Sequence, residues 1–147
     1  MHKILIIDDD DQIRKMYELF LSSEGYEVLS AASGEEGLRT FWKNNVDLVI
    51  TDLFMPGIDG LYVTAKIREV NQQIPILGIS GGPDPNNPNR SLSSPEQMGA
   101  IKVLKKPVEL DVLLSEIQHQ IDEASKGADK IKITKTGGEA AGARSEE

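Results

Sequence analysis

Asp8, Asp9, Asp52, Ser80 and Lys106 are the residues whose types and placing invite chemistry. Each stands at or just past the end of a short apolar run rich in β-branched residues: 3–7, 47–51, 74–80 and 102–105. If these runs are strands of one parallel sheet, all five side chains converge on one edge. Three carboxylates about 4 Å apart repel by roughly 4 kcal/mol per pair at an effective dielectric of 20, and one lysine cannot offset all three pairs. Either a proton is taken up or a divalent cation sits among them. An all-oxygen ligand set favours Mg²⁺, which uses one or two carboxylates, waters and phosphate oxygens. A cation, a lysine and a hydroxyl around one carboxylate make a phosphoryl-transfer site, with that carboxylate as nucleophile.

The elements that must position these groups follow from apolar spacing. Run 3–7 is too short for a helix and reads as a buried strand. Ile13, Met16, Tyr17, Phe20 and Leu21 recur at helical spacing, and Gly25 stops that helix. Asp10 and Asp11 suit its N-terminus by capping and by the helix dipole. Residues 26–30 form a second strand. Ser33 and Glu36 make a capping box for a helix whose inner face is Leu38, Phe41 and Trp42. Residues 47–51 are a third strand, Pro56-Gly57 is a turn, and 59–70 a third helix. Residues 74–80 and 102–105 are the last two strands. Leu110, Leu113, Leu114, Ile117 and Ile121 mark a closing helix.

Strand–helix alternation of this kind implies an α/β, mostly parallel sheet with helices on both faces, binding ligands at the strands' carboxyl ends. Residues 81–95 interrupt it, with four prolines in fifteen residues. A fourth helix must be short and late, around 94–98, or the stretch is an irregular loop.

At 147 residues the chain suits one domain. Its 24 acidic and 16 basic side chains give a net charge of −8, a poor match for nucleic acid. The absence of cysteine excludes thiol chemistry and suits a cytoplasmic location. No apolar run is long enough to span a membrane, and the first residues do not read as a signal peptide. Residues 126–147 carry five basic and four acidic groups and no aromatic residue. A core domain over 1–123 and a polar, flexible tail over 124–147 are therefore expected. His2 and His119 are isolated and read as surface residues.

Four motifs in this order resemble the receiver domain of the response regulators of two-component signalling, the CheY-like family. They are Lys3-Ile4-Leu5-Ile6-Ile7-Asp8-Asp9-Asp10, Asp52-Leu53-Phe54-Met55-Pro56-Gly57-Ile58-Asp59-Gly60, Ile79-Ser80 and Lys105-Lys106-Pro107. The resemblance implies a doubly wound, flavodoxin-like sheet of five parallel strands in the order 2-1-3-4-5. It further implies that Asp52 accepts a phosphoryl group from a sensor histidine kinase or histidine phosphotransfer protein. Asp9, Asp52 and the Phe54 backbone carbonyl would ligate Mg²⁺, with Asp8 acting through water. Lys106 would bind one phosphoryl oxygen and Ser80 another, and the Lys106–Pro107 bond would be cis. Such a domain is a signalling module rather than an enzyme, although it assists its own phosphorylation and dephosphorylation. With too little chain after 123 for a DNA-binding domain, output through an unknown downstream protein is expected.

The sequence departs from the family in places. Val103 stands where many receivers carry a switching aromatic. Phe54 and Gly82 stand where many relatives place polar side chains beside the hydrolytic water. Two rivals are a haloacid-dehalogenase-like hydrolase and a receiver-shaped module that is never phosphorylated. The first needs a general acid two residues past the nucleophile, where this chain has Phe54. The intact set of Asp8, Asp9, Asp52, Ser80 and Lys106 argues against the second.

Overall fold

Alternation along the strands builds the fold. In β1 (Lys3–Ile7), Ile4 and Ile6 join one apolar cluster while Leu5 and Ile7 join another. In β3 (Leu48–Asp52), Leu48 and Ile50 side with the first cluster and Val49 with the second. A strand buried on both faces lies mid-sheet, which is why these runs are continuously apolar. The computed structural model describes residues 1–81 and 101–137, without the side chains of 127–137. Its five strands, with β2 (Glu27–Ala31), β4 (Ile76–Ser80) and β5 (Lys102–Lys105), pair in parallel in the order β2-β1-β3-β4-β5. This is the expected doubly wound topology.

Helices cover both faces. Tyr17 and Leu21 of α1 (Asp11–Ser23) and Leu113 and Ile117 of α4 (Leu110–Gly137) pack with Ile4, Ile6, Leu77 and Ile79. Leu38 and Phe41 of α2 (Gly34–Lys43) and Leu61, Val63 and Ile67 of α3 (Gly60–Val70) pack with Leu5, Ile7 and Val49. Each fully buried Leu or Ile contributes about 1.5–3 kcal/mol through the apolar surface it removes from water.

The helix ends form as the sequence suggests. Asp10 accepts from the Gln12 and Ile13 amides at 2.9 and 3.2 Å, which starts α1 directly after the acidic pair. Gly25, at φ +96°, ends it. The Tyr26 and Gly25 amides bond the Leu21 and Ser22 carbonyls, the pattern of a left-handed helix cap. Ser33 accepts from the Glu36 amide, but the Glu36 carboxylate reaches the Ala32 amide, one residue outside the usual box.

Several expectations are corrected. Trp42 is not on the inner face: it is 51% exposed and touches Phe41 edge to face. A helix only ten residues long presents a narrow apolar stripe, which Leu38 and Phe41 already fill. Met16 is likewise an exposed residue of α1. β4 starts at Ile76 rather than at 74, because Pro75 has no amide hydrogen for the ladder and the Asn71 side chain takes the Ile74 amide. α4 does not stop with its last large apolar residue but runs to Gly137, past the boundary expected at 123. Residues 122–137 contain no proline, so nothing in the backbone forces an earlier end. The expected helix at 94–98 and almost all of the proline-rich segment lie outside the described residues.

Gly60 shows how closely fold and site are joined. A Cβ there would fall onto the Asp52 carbonyl oxygen and the Leu53 Cα, both backbone atoms. Gly60→Ala is expected to cost about 1–3 kcal/mol by overpacking. Because the displaced atoms belong to the Asp52 loop, the variant should also bind divalent cations more weakly. Thermal unfolding with and without Mg²⁺ checks both effects.

Candidate functional site

The carboxyl ends of β1, β3, β4 and β5 meet at one edge, and the five chemistry-bearing residues gather there. Asp8 follows β1 and is 2% exposed, and Asp9 beside it is open to solvent. Asp52 closes β3 at 6% exposure. One carboxylate oxygen from each of Asp8, Asp9 and Asp52 lies within 4.8 Å of the others. Lys106, one residue past β5, places its Nζ 3.1 Å from Asp52 Oδ2. Its amide donates to the Ser80 carbonyl at 2.8 Å, which fixes the lysine beside the end of β4. Ser80 is fully buried there. The Lys106–Pro107 bond is cis, as expected.

Local hydrogen bonds hold the carboxylates. Asp8 Oδ1 accepts from the Asp10 amide at 2.9 Å, and Asp52 Oδ1 accepts from the Phe54 amide at 3.4 Å. Thr51 donates its hydroxyl to the Asp52 carbonyl at 3.0 Å. The Phe54 side chain turns away to pack against the α2–α3 side of the core, as does Val103 from β5.

Burial dominates the electrostatics. It raises the pKa of Asp8 above the ordinary carboxylate value, opposed by the Asp10 amide and reinforced by the charge on Asp52. Burial likewise raises Asp52, with Lys106 working in the opposite direction. For Lys106, burial would lower the pKa, but the charge of Asp52 and their hydrogen bond outweigh it, and the ammonium is held above its ordinary value. Three oxygens so close, two of them on buried carboxylates, fit a divalent cation. One ammonium, already paired with Asp52, does not neutralise the cluster.

Arg14 sits at this edge, and sequence spacing did not mark it as functional. Arg14 donates from Nη1 to the Asp8 carbonyl at 2.7 Å and pairs through Nη2 with Asp11, bracing the loop that carries the acidic pair. The Asp11–Arg14 spacing on one helix face was the available signal. Tyr17 reads from spacing as a core residue, and it is one, but its ring also lies in the field of Asp8, Lys106 and Asp52.

Fold and site together define a doubly wound α/β domain with an acidic cluster and a lysine at the carboxyl edge of its sheet. A family model for the response regulator receiver domain matches residues 4–118, and the chain belongs to that family. It is a receiver domain of two-component systems, a signalling domain rather than a classical enzyme.

The transcriptional regulatory protein GlrR of Escherichia coli is 35% identical over 128 residues, covering 86% of this chain and 28% of that protein. The CAI-1 autoinducer sensor kinase/phosphatase CqsS of Vibrio cholerae is 35% identical over 118 residues, 78% of this chain and 17% of that protein. The chain thus spans under a third of the length of either relative. Among solved structures, the response regulator TrrA of Thermotoga maritima in complex with Mg²⁺-BeF superposes with a TM-score of 0.71 at 31% identity. That match covers 82% of this chain and 99% of TrrA. Among the described residues, no helix is long and apolar enough to cross a membrane.

Proposed function

We propose that this domain accepts a phosphoryl group on Asp52 from a phosphohistidine of a sensor histidine kinase or phosphotransfer protein, and thereby changes its affinity for a downstream protein. The observation that carries the reading is Asp52 itself. Its buried carboxylate is hydrogen-bonded to Lys106 and faces the Asp8–Asp9 pair, on a domain of the receiver family.

Asp9, Asp52 and the Phe54 carbonyl would hold Mg²⁺, with Asp8 acting through a water. The cation supplies charge neutralisation for the phosphoryl oxygens. The remaining work falls to the protein. An Asp52 carboxylate oxygen attacks phosphorus, an O–P bond forms, and the P–N bond to the donor imidazole breaks. The imidazole keeps the electron pair and takes up a proton from solvent. Lys106 turns from Asp52 toward a phosphoryl oxygen, where its charge matches the charge that develops. Ser80 hydrogen-bonds a second oxygen and registers the phosphorylated state. The site works in the cytoplasm, where the kinase presents its phosphohistidine.

Incubating the protein with Mg²⁺ and a small phosphodonor, then recording intact mass, tests this reading. One phosphoryl adduct that requires the metal supports it, and its absence with both a small donor and a phosphohistidine donor overturns it.

The lifetime of the adduct follows from Phe54. Its side chain packs into the core and has no polar atom to orient an attacking water. Phe54→Asn is expected to speed loss of the phosphoryl group about tenfold, less than a positioned acid–base group achieves, because an amide orients water without taking its proton. Decay of the adduct mass in both proteins measures it.

A further inference from the structure

Tyr17 stands out among the groups not yet given a role. α1 begins at Asp11, directly after the acidic pair, so the N-terminal end of this helix lies at the site edge. Side chains on a helix lean toward its N-terminus. From the inner face of α1 the Tyr17 ring therefore runs up between helix and sheet toward that edge, packed among Ile4, Ile6, Leu77 and Ile79. Tyr17 is 3% exposed. Among the described residues, its hydroxyl makes no hydrogen bond. A leucine or phenylalanine would fill this space with no such polar atom to bury. The charges of Asp8, Lys106 and Asp52 all act on its hydroxyl, which therefore lies near the site. Burial and then Asp8 raise the phenol above its ordinary value, so the hydroxyl keeps its proton at neutral pH.

Among the described residues, Lys106 has one carboxylate partner at hydrogen-bond distance, Asp52. If Asp52 is the phospho-acceptor, as proposed above and as this inference requires, that carboxylate becomes an acyl phosphate. The ammonium must then be re-aimed at a phosphoryl oxygen. An ammonium with three donors and one changing partner needs a fixed acceptor to define its direction. We propose that Tyr17 is a positioning residue for this site, its hydroxyl accepting a hydrogen bond from the Lys106 ammonium once Asp52 is engaged. Tyr17 lies outside the four receiver motifs.

Tyr17→Phe keeps the ring and removes only an unpartnered hydroxyl, so the variant should fold as well as the wild type. With Mg²⁺ and a small phosphodonor, the rate of adduct formation should fall about tenfold, the lower end for a hydrogen bond to a charged group. Half-saturation by Mg²⁺ should stay within about twofold, because an outer group that oriented the metal ligands would shift it tenfold or more. In a Lys106→Ala background the same change should have no further effect. A near-UV tyrosine difference signal on phosphorylation should appear in the wild type and vanish in Tyr17→Phe.

An unchanged rate in Tyr17→Phe, with the wild type forming its adduct normally, overturns the positioning role. So does a full effect persisting without Lys106. Failure of the wild type to form any adduct would instead strike at Asp52 as acceptor.

Discussion

Asp52→Asn will gain no phosphoryl group under conditions in which the wild type becomes fully modified. The amide is nearly isosteric and keeps an oxygen to accept from the Phe54 amide, so the loop after β3 should hold its shape. What it loses is the nucleophile. A neutral amide oxygen facing an electrophilic phosphorus has neither the charge nor the basicity of a carboxylate. Removal of a nucleophile costs roughly a thousandfold or more in rate. Intact mass after incubation with Mg²⁺ and a small phosphodonor reads the outcome directly. An equal adduct on the variant would place the acceptor elsewhere, with Asp8 and Asp9 the nearest carboxylates. Lys106→Ala should keep the acceptor and slow the reaction about a hundredfold, since it removes one charge aimed at the phosphoryl oxygens.

The second large effect concerns the cost of assembling the cluster. Asp8→Asn should make the metal-free protein more stable and its Mg²⁺ binding weaker. Folding brings Asp8 to within 4.8 Å of Asp9 and Asp52 and strips it of water. At that spacing each like-charge pair costs about 3 kcal/mol at an effective dielectric of 20. Solvent screens the pair with exposed Asp9, and Lys106 offsets much of the pair with Asp52, so the net gain from Asp8→Asn is about 1–2 kcal/mol. The asparagine retains an oxygen for the Asp10 amide, and the turn into α1 survives.

The pH dependence has a definite sign. Asp8 and Asp52 have folded pKa values above 3.8, so each binds its proton more tightly in the folded state. Their contribution to stability is fully present below 3.8 and is lost as pH rises through the raised folded values. Metal-free wild type should therefore lose stability over that window more than Asp8→Asn does. Mg²⁺ at a hundred times its dissociation constant should restore about 2.7 kcal/mol to the wild type at neutral pH. In Asp8→Asn the metal affinity should fall about tenfold, as when an outer-shell partner is removed. Chemical denaturation at several pH values, with and without Mg²⁺, separates the two terms. A variant no more stable than the wild type without metal would show that the carboxylates are not in conflict.

Features set by a few neighbouring residues are legible in the sequence. Ile4 through Ile7 announce a doubly buried strand because every position is apolar, and Asp10 and Ser33 announce helix starts because a cap acts within three residues. The order of the strands did not follow from spacing; it came from the family likeness and the pairing bears it out. Trp42 was misplaced because helical spacing names a stripe without its width, and the width is set by what the sheet offers. The length of α4 was underestimated because large apolar residues mark packing rather than the end of backbone hydrogen bonding.

For the site, the residue types and their strand-end positions are readable in the sequence. Asp8, Asp9, Asp52, Ser80 and Lys106 are separated by up to 98 positions along the chain, yet each follows a recognisable run. Parallel strands must all end at the same edge, so convergence is a consequence of topology. Tyr17 and Arg14 were not readable in this way. Arg14 reaches the Asp8 carbonyl because α1 starts beside it, and the charges of the site act on Tyr17 from the same helix. Local rules thus settled which elements form and which residues close them, since caps and periodicity act over a few positions. Packing between α1 and the sheet settled which further side chains share the site, since such contacts depend on how two distant surfaces meet.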